Sequence, residues 1–251
     1  MLQILFHLKI SGIIPARYAS SRFPGKPLAD IDGKTMIQRV YEQCLKARSL
    51  QHVMVATDDT RIYDAVAAFG GNVQMTSSAH LNGTSRCAEV AETTTEHYDY
   101  IINIQGDEPL INPEQLNELA ALFEDEDVQI GTQVKRETDL SLLENPNVVK
   151  TILDENNFAL DFKRIINDET SLANIRHTGY FYKHIGIYGF KTNILVKLVQ
   201  LAPTENELRH HLEQLRWLDN GFKIKAGITA YESLSVDTAD DLEKVRKTLN
   251  L

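Results

Sequence analysis

The chain has 251 residues, 43% hydrophobic and 24% charged, with a formal net charge of −9. This is the profile of a soluble globular protein of one large domain or two small ones. The acidic balance argues against nucleic acid as a partner, because that binding rests on neutralising many phosphates with Lys and Arg; a small anion needs only a local positive patch.

No apolar run approaches the roughly 20 residues of a membrane span. Residues 1–8 are apolar but lack the basic n-region and small-residue cleavage site of a signal peptide, so a cytoplasmic protein is expected. Residues 10–14 form a short apolar strand running into a loop that extends to Pro27. Pro15, Pro24 and Pro27 forbid a regular helix or central strand there, and Gly25 permits sharp backbone geometry. The loop carries Arg17, Arg22 and Lys26 with the hydroxyls of Ser20 and Ser21, and no acid occurs before Asp30. Such a loop suits a polyphosphate: Arg offers a bidentate fork, Lys a point charge and Ser a neutral donor. It is not a Walker loop, since Gly25-Lys26 is followed by Pro27. An exposed basic surface loop is the plainer alternative.

Residues 35–47 read as a helix with Met36, Ile37, Val40, Tyr41 and Cys44 on one stripe. Cys44 and Cys87, the two cysteines, read as small buried hydrophobes. Residues 52–57 are a continuous apolar run ending at Asp58-Asp59, as a buried parallel strand does. A helix over 59–69 ends at Gly70-Gly71, a third strand covers 72–76, and a polar stretch at 77–84 precedes a helix to about 96. A fourth strand at 100–104 closes on Gln105-Gly106-Asp107-Glu108-Pro109, and Pro113 opens another helix. This alternation predicts a doubly wound, mostly parallel α/β sheet. Ligands bind such sheets outside the carboxyl ends of the strands, where strand order reverses. An order of 3-2-1-4 sets the basic loop opposite Asp107, a place for a metal-bound nucleotide.

Residues 128–136 and 148–153 look like strands, with a turn and a hairpin return at 158–162. Residues 167–178 read as polar loop and 180–190 as an aromatic strand. The reading is one domain over 1–251 with a smaller β-rich insertion or dimer-contact lobe at about 130–190. Residues 205–218 read as one helix whose buried stripe is Leu208, Leu212 and Leu215; a last strand at 222–230 and a final helix after 236–242 complete the chain.

Asp107, at a strand end, reads as a ligand for Mg²⁺, which binds through one or two carboxylates plus phosphates; capping the next helix is its alternative. Asp237 is the natural second ligand, because Thr238 with Asp241 can form an imperfect capping box and leave it free. Asp58 and Asp59 could merely cap a helix. Asn82-Gly83-Thr84 reads either as a contact to base or ribose or as a turn. His184 reads as a donor or as an ordinary core histidine. Glu213 and Gln214 lie off the leucine stripe, where surface solvation is the default.

Taken together these segments resemble the 3-deoxy-manno-octulosonate (Kdo) cytidylyltransferases, also called CMP-Kdo synthetases. The likeness lies in 14–28, in Val55-Ala56-Thr57-Asp58-Asp59, in Asn103-Ile104-Gln105-Gly106-Asp107-Glu108-Pro109, in His184-Ile185-Gly186-Ile187-Tyr188-Gly189, in Leu212-Glu213-Gln214-Leu215-Arg216 and in Val236-Asp237-Thr238. The resemblance implies a nucleotide-diphospho-sugar transferase-like fold and transfer of CMP from CTP to Kdo, for lipopolysaccharide synthesis, in a Mg²⁺-dependent homodimer. It implies that Arg17, Ser20, Ser21, Arg22, Lys26, Thr57, Asp58, Gly83, Thr84 and Gln105 contact the nucleotide, with Arg17, Lys26, Asp107 and Asp237 catalytic. Asp107 and Asp237 would hold the metal, and Gln105, Arg164, His184, Tyr188, Glu213 and Gln214 the sugar acid. The chain departs from the family pattern at Asn82 and Ser85, where Ser and an acid are usual, around Leu160-Asp161-Phe162-Lys163-Arg164, and at Ser235, where Gly is common. These departures leave open another acid sugar, such as an 8-amino-Kdo or a sialic acid, or a non-catalytic nucleotide-binding relative.

Overall fold

Buried strands alternating with amphipathic helices build one large sheet covered on both faces. A computed structural model describes residues 8–19, 23–232 and 234–249. Strand β1 (Ile10–Ala16) leads through the basic loop to a small hairpin, β2 (Asp30–Ile31) and β3 (Lys34–Thr35). Then come α1 (Met36–Cys44), β4 (His52–Thr57), α2 (Thr60–Ala68), β5 (Val73–Met75), α3 (Gly83–Thr93), β6 (Tyr100–Asn103) and α4 (Pro113–Ala121). The second half adds β7 (Ile130–Glu137), β8 (Lys150–Leu153), β9 (Ala159–Lys163), α5 (Glu169–Thr178), β10 (Phe181–Lys191) and α6 (Thr192–Leu198). It closes with α7 (Glu205–His210), α8 (Glu213–Asp219), β11 (Ile224–Thr229) and α9 (Ala239–Leu249).

The main path of the sheet is β11-β7-β10-β6-β1-β4-β5, with β8 and β9 attached through β10. Its β5-β4-β1-β6 portion is the expected 3-2-1-4 order, parallel throughout. Along this path β10 alone runs against its neighbours, β6 and β7, while β11 is parallel to β7. Strand periodicity divides the core: Ile10 and Ile14 enter one cluster and Ile13 the other. α1, α2 and α4 cover the first face through Val40, Val66 and Leu116, and α3, α6 and α8 cover the second through Cys87, Leu195 and Trp217. Burial on both faces is why the parallel strands read as unbroken apolar runs. Among the described residues no helix is long and apolar enough to cross a membrane.

The outer part of β10 stays paired with β7 and takes β8 on its other edge in place of β6, Tyr182 and Lys183 standing beside Thr151 and Lys150. A small separate cluster around Ile166, Ile175 and Phe181 fills the lobe. Here residues 167–178, expected as loop, instead contain α5. Asp168 caps it by accepting from the Ser171 N–H at 2.8 Å, and Gly179 ends it at φ 76°. The cap, Leu172, Ile175 and the terminal Gly were visible in the sequence, but two large apolar residues among many polar ones made a weak periodic signal.

The helix expected over 205–218 is two helices. His211 takes a left-handed conformation at φ 51° between α7 and α8. The stripe fails with it: Leu208 is 61% exposed, whereas Leu212 and Leu215 are buried. The break also turns the start of α8 inward and carries Glu213 and Gln214 away from the solvated face assumed for them.

Candidate active site: a cationic loop facing two carboxylates

β1 and β6 lie side by side, and the turns after them line a cavity of about 480 Å³. Their approach depends on Gly106: a Cβ there would come within 2.9 Å of the Pro15 carbonyl oxygen. Lys26 reaches the cavity from a single 3-10 turn, Lys26–Leu28, which opens at Gly25 with φ 74°. Its ammonium donates to Asp107 Oδ2 at 2.7 Å and to Asp237 Oδ1 at 3.4 Å. Two segments far apart in sequence meet here because the Val236 N–H donates to the Asp107 carbonyl at 2.9 Å. The expected capping box forms: the Asp241 N–H donates to Thr238 Oγ1 at 3.2 Å, and the Thr238 N–H to Asp241 Oδ2 at 3.1 Å. Asp237 therefore faces Lys26 and is not the residue that caps α9.

Arg17 lines the same cavity and donates to the His80 carbonyl. Burial, and next the charge of Arg86, lower its pKa. On the opposite wall stand Gln105, Tyr188, Glu213, Gln214 and Trp217. The Glu213 carboxylate accepts from Asn82 Nδ2 at 2.8 Å and from Thr84 Oγ1 at 2.9 Å. Burial pushes its pKa up, against the lowering effect of those two bonds. Gln105 donates to the Gly186 carbonyl at 2.8 Å, and the Tyr188 ring meets the edge of Trp217 at 5.0 Å.

Arg17, Lys26, Gly83, Thr84, Gln105, Asp107, Tyr188, Glu213 and Gln214 thus line the cavity, joined through Lys26 by Asp237. Four expected site residues stand elsewhere. The Arg164 guanidinium is spent on three carbonyls, of His210 at 2.8 Å, Pro146 at 3.0 Å and His211 at 3.1 Å, so it braces the turn before α8. His184 lies behind the wall, its Nε2 3.1 Å from Thr132 Oγ1 and its ring edge-on to Phe162, and desolvation pushes its pKa down to about 3. Thr57 is buried in backbone bonding with Thr76, and Asp58 pairs with Arg86 at 3.1 Å. The expectations for Ser20, Ser21 and Arg22 fall outside the described residues.

Asn103 and Trp217 line the cavity but were not singled out from the sequence. Asn103 had a signal, a polar side chain inside an apolar strand. Trp217 had none, because the inward turn of α8 depends on the break at His211.

A doubly wound sheet with basic side chains after its first strand, facing a cavity at the carboxyl ends of the strands, is the arrangement of a nucleotide-binding enzyme of the nucleotidyltransferase class. The family profile described as cytidylyltransferase matches residues 11–224. The chain is 51% identical to 3-deoxy-manno-octulosonate cytidylyltransferase of Parabacteroides distasonis, covering 94% of this chain and 96% of that one. It is 48% identical to the protein of the same name from Bacteroides thetaiotaomicron, over 96% and 98% of the two chains. Among solved structures, a CMP:2-keto-3-deoxy-manno-octonic acid synthetase complexed with CTP superposes with a TM-score of 0.90 at 38% identity, covering 96% of this chain and 98% of the other. The chain belongs to the Kdo cytidylyltransferase family.

Proposed function

We infer that the protein transfers the cytidylyl group of CTP to Kdo, releasing pyrophosphate and forming the CMP-Kdo used in lipopolysaccharide synthesis. The observation that carries this reading is the Lys26 ammonium set between Asp107 and Asp237 on a cavity that also holds Arg17. An ammonium between two carboxylates is a cation standing where a divalent ion fits, and the donors are the hard oxygens Mg²⁺ prefers. Asp107 and Asp237 would hold Mg²⁺, with the triphosphate completing its shell. When bound, the ion neutralises charge on the transferring and leaving oxygens.

The chain's own groups do the rest. Arg17 and Lys26 offset the repulsion between the triphosphate and the carboxylate of the sugar acid. Gln105, Gln214, Tyr188 and Glu213 orient the sugar, whose anomeric hydroxyl attacks the α-phosphorus in line with pyrophosphate. One P–O bond forms as the other breaks, and positioning with electrostatics suffices without a covalent intermediate. Tyr188 and Trp217, both buried, give the cavity an apolar wall against which the sugar can pack. A cytoplasmic homodimer accompanies this reading, and light scattering tests the dimer.

The deciding experiment measures pyrophosphate release from CTP across a panel of acid sugars, with and without Mg²⁺. Turnover with Kdo that stops on chelation is expected. Turnover only with another acid sugar would move the assignment to that acceptor, and CTP binding without turnover on any would make this a binding protein.

A further inference from the structure

The two cations of the phosphate loop, Arg17 and Lys26, flank a narrow neck formed by Tyr18 and Gly25. The Gly25 N–H donates to the Tyr18 carbonyl at 2.9 Å and closes the neck. Gly25 has φ 74°, and a Cβ there would meet the Tyr18 ring at 3.1 Å. The phenol ring itself is covered from another element: the Arg61 guanidinium of α2 lies 3.3 Å from its centroid. Arg61 in turn is aimed by Asp59, accepting from Nε at 2.9 Å and from Nη2 at 2.6 Å. The same Asp59 caps α2 by accepting from the Arg61 N–H at 3.0 Å. Hence the neck is referenced to the start of a helix that follows β4, the strand beside β1. Neither Tyr18 nor Arg61 lines the cavity.

We propose that Tyr18 and Arg61 are positioning residues: their stacked pair clamps the neck of the loop and sets the separation at which Arg17 and Lys26 meet the triphosphate. This rests on the proposed use of CTP. A guanidinium stacked on an aromatic face is held by the ring's negative face, and a guanidinium forked by a carboxylate keeps one orientation. Together these constraints order the neck before any ligand arrives, so binding costs less ordering of Arg17 and Lys26. Without Arg61 the ring loses its cover, the neck samples other separations, and the phosphates meet the two cations one at a time.

The test compares wild type with Arg61→Gln, Tyr18→Leu and Tyr18→Phe, using CTP calorimetry in the absence of sugar, steady-state kinetics with CTP and Kdo, and melting. Tyr18→Phe keeps the stacked face and is expected to match wild type. Arg61→Gln and Tyr18→Leu are expected to weaken CTP binding and raise its KM by about two- to fivefold, the range for a cation–aromatic contact whose guanidinium is exposed to solvent. The KM for Kdo and the melting temperature are expected to hold. Unchanged CTP affinity in both variants overturns the proposal. So does a parallel rise in both KM values with a lowered melting temperature, which would mark a merely structural contact. Absence of turnover with Kdo would count against the acceptor assignment, whereas the calorimetry with CTP alone still decides the clamp.

Discussion

Replacing Asp107 by Asn separates the chemical role of this carboxylate from its structural one. In the fold it has two attachments: its side chain accepts from Lys26 at 2.7 Å, and its backbone carbonyl accepts from Val236 at 2.9 Å. Only the first is touched by the substitution. That ion pair is partly open to solvent, with side-chain exposures of 13% for Lys26 and 28% for Asp107. Pairs of this kind contribute at most about 1 kcal/mol. Lys26 also keeps Asp237 as a partner at 3.4 Å, so no buried charge is stranded. A loss of that size lowers the melting temperature of a chain this long by no more than about 4 °C. The chemical loss is of another order. Removing one preorganised electrostatic group from a site of developing charge costs about 10²–10³ in rate, or about 3–4 kcal/mol. Pyrophosphate release at saturating CTP and Kdo, beside a thermal melt of the same sample, reads both quantities. Near-wild-type turnover in Asp107→Asn would remove Asp107 from the reacting centre, and a melting temperature that collapses with the rate would make its role structural.

Glu213→Gln should raise the KM for Kdo more than that for CTP. Because burial raises the pKa of Glu213, the carboxyl is protonated as pH falls through that raised value and loses the charge and part of the acceptor capacity it offers to sugar hydroxyls. Wild-type kcat/KM for Kdo should therefore fall as pH drops through that raised pKa, and the fall should be absent in Glu213→Gln; an identical limb in both assigns it to another group. Arg164→Ala should destabilise the protein by about 1–3 kcal/mol, since three carbonyls lose a charged donor, and should impair both substrates together. A selective loss of Kdo use at unchanged stability would put Arg164 back on the sugar. His184 has its pKa depressed by burial to about 3, so it binds a proton less readily folded than unfolded. Its contribution to stability is complete above about pH 6.5 and is lost as pH falls toward 3. His184→Asn should flatten the melting temperature over that window relative to wild type, and parallel curves would refute the assignment.

Local chemistry alone was enough to identify the α/β alternation, the parallel strands β1, β4, β5 and β6, and the positions of Arg17, Lys26 and Asp107 beyond strand ends, though not the small β2–β3 hairpin. Each is a short-range signal: an apolar run buried on two faces, prolines that block regular structure, or a lone acid at a strand end. The Thr238–Asp241 capping box was also legible, because both partners lie within one helical turn. Convergence was a different matter. Lys26, Asp107 and Asp237 meet only because β1 and β6 are neighbours and a backbone bond ties Val236 to Asp107. Where Arg164 and His184 stand was likewise hidden from the sequence: three carbonyls hold the one, and the other is buried against Thr132 and Phe162. Glu213, Gln214 and Trp217 took their inward direction from one left-handed residue, His211. A backbone choice of that kind is made by the bonds and packing around it, and no periodic pattern in the chain records it.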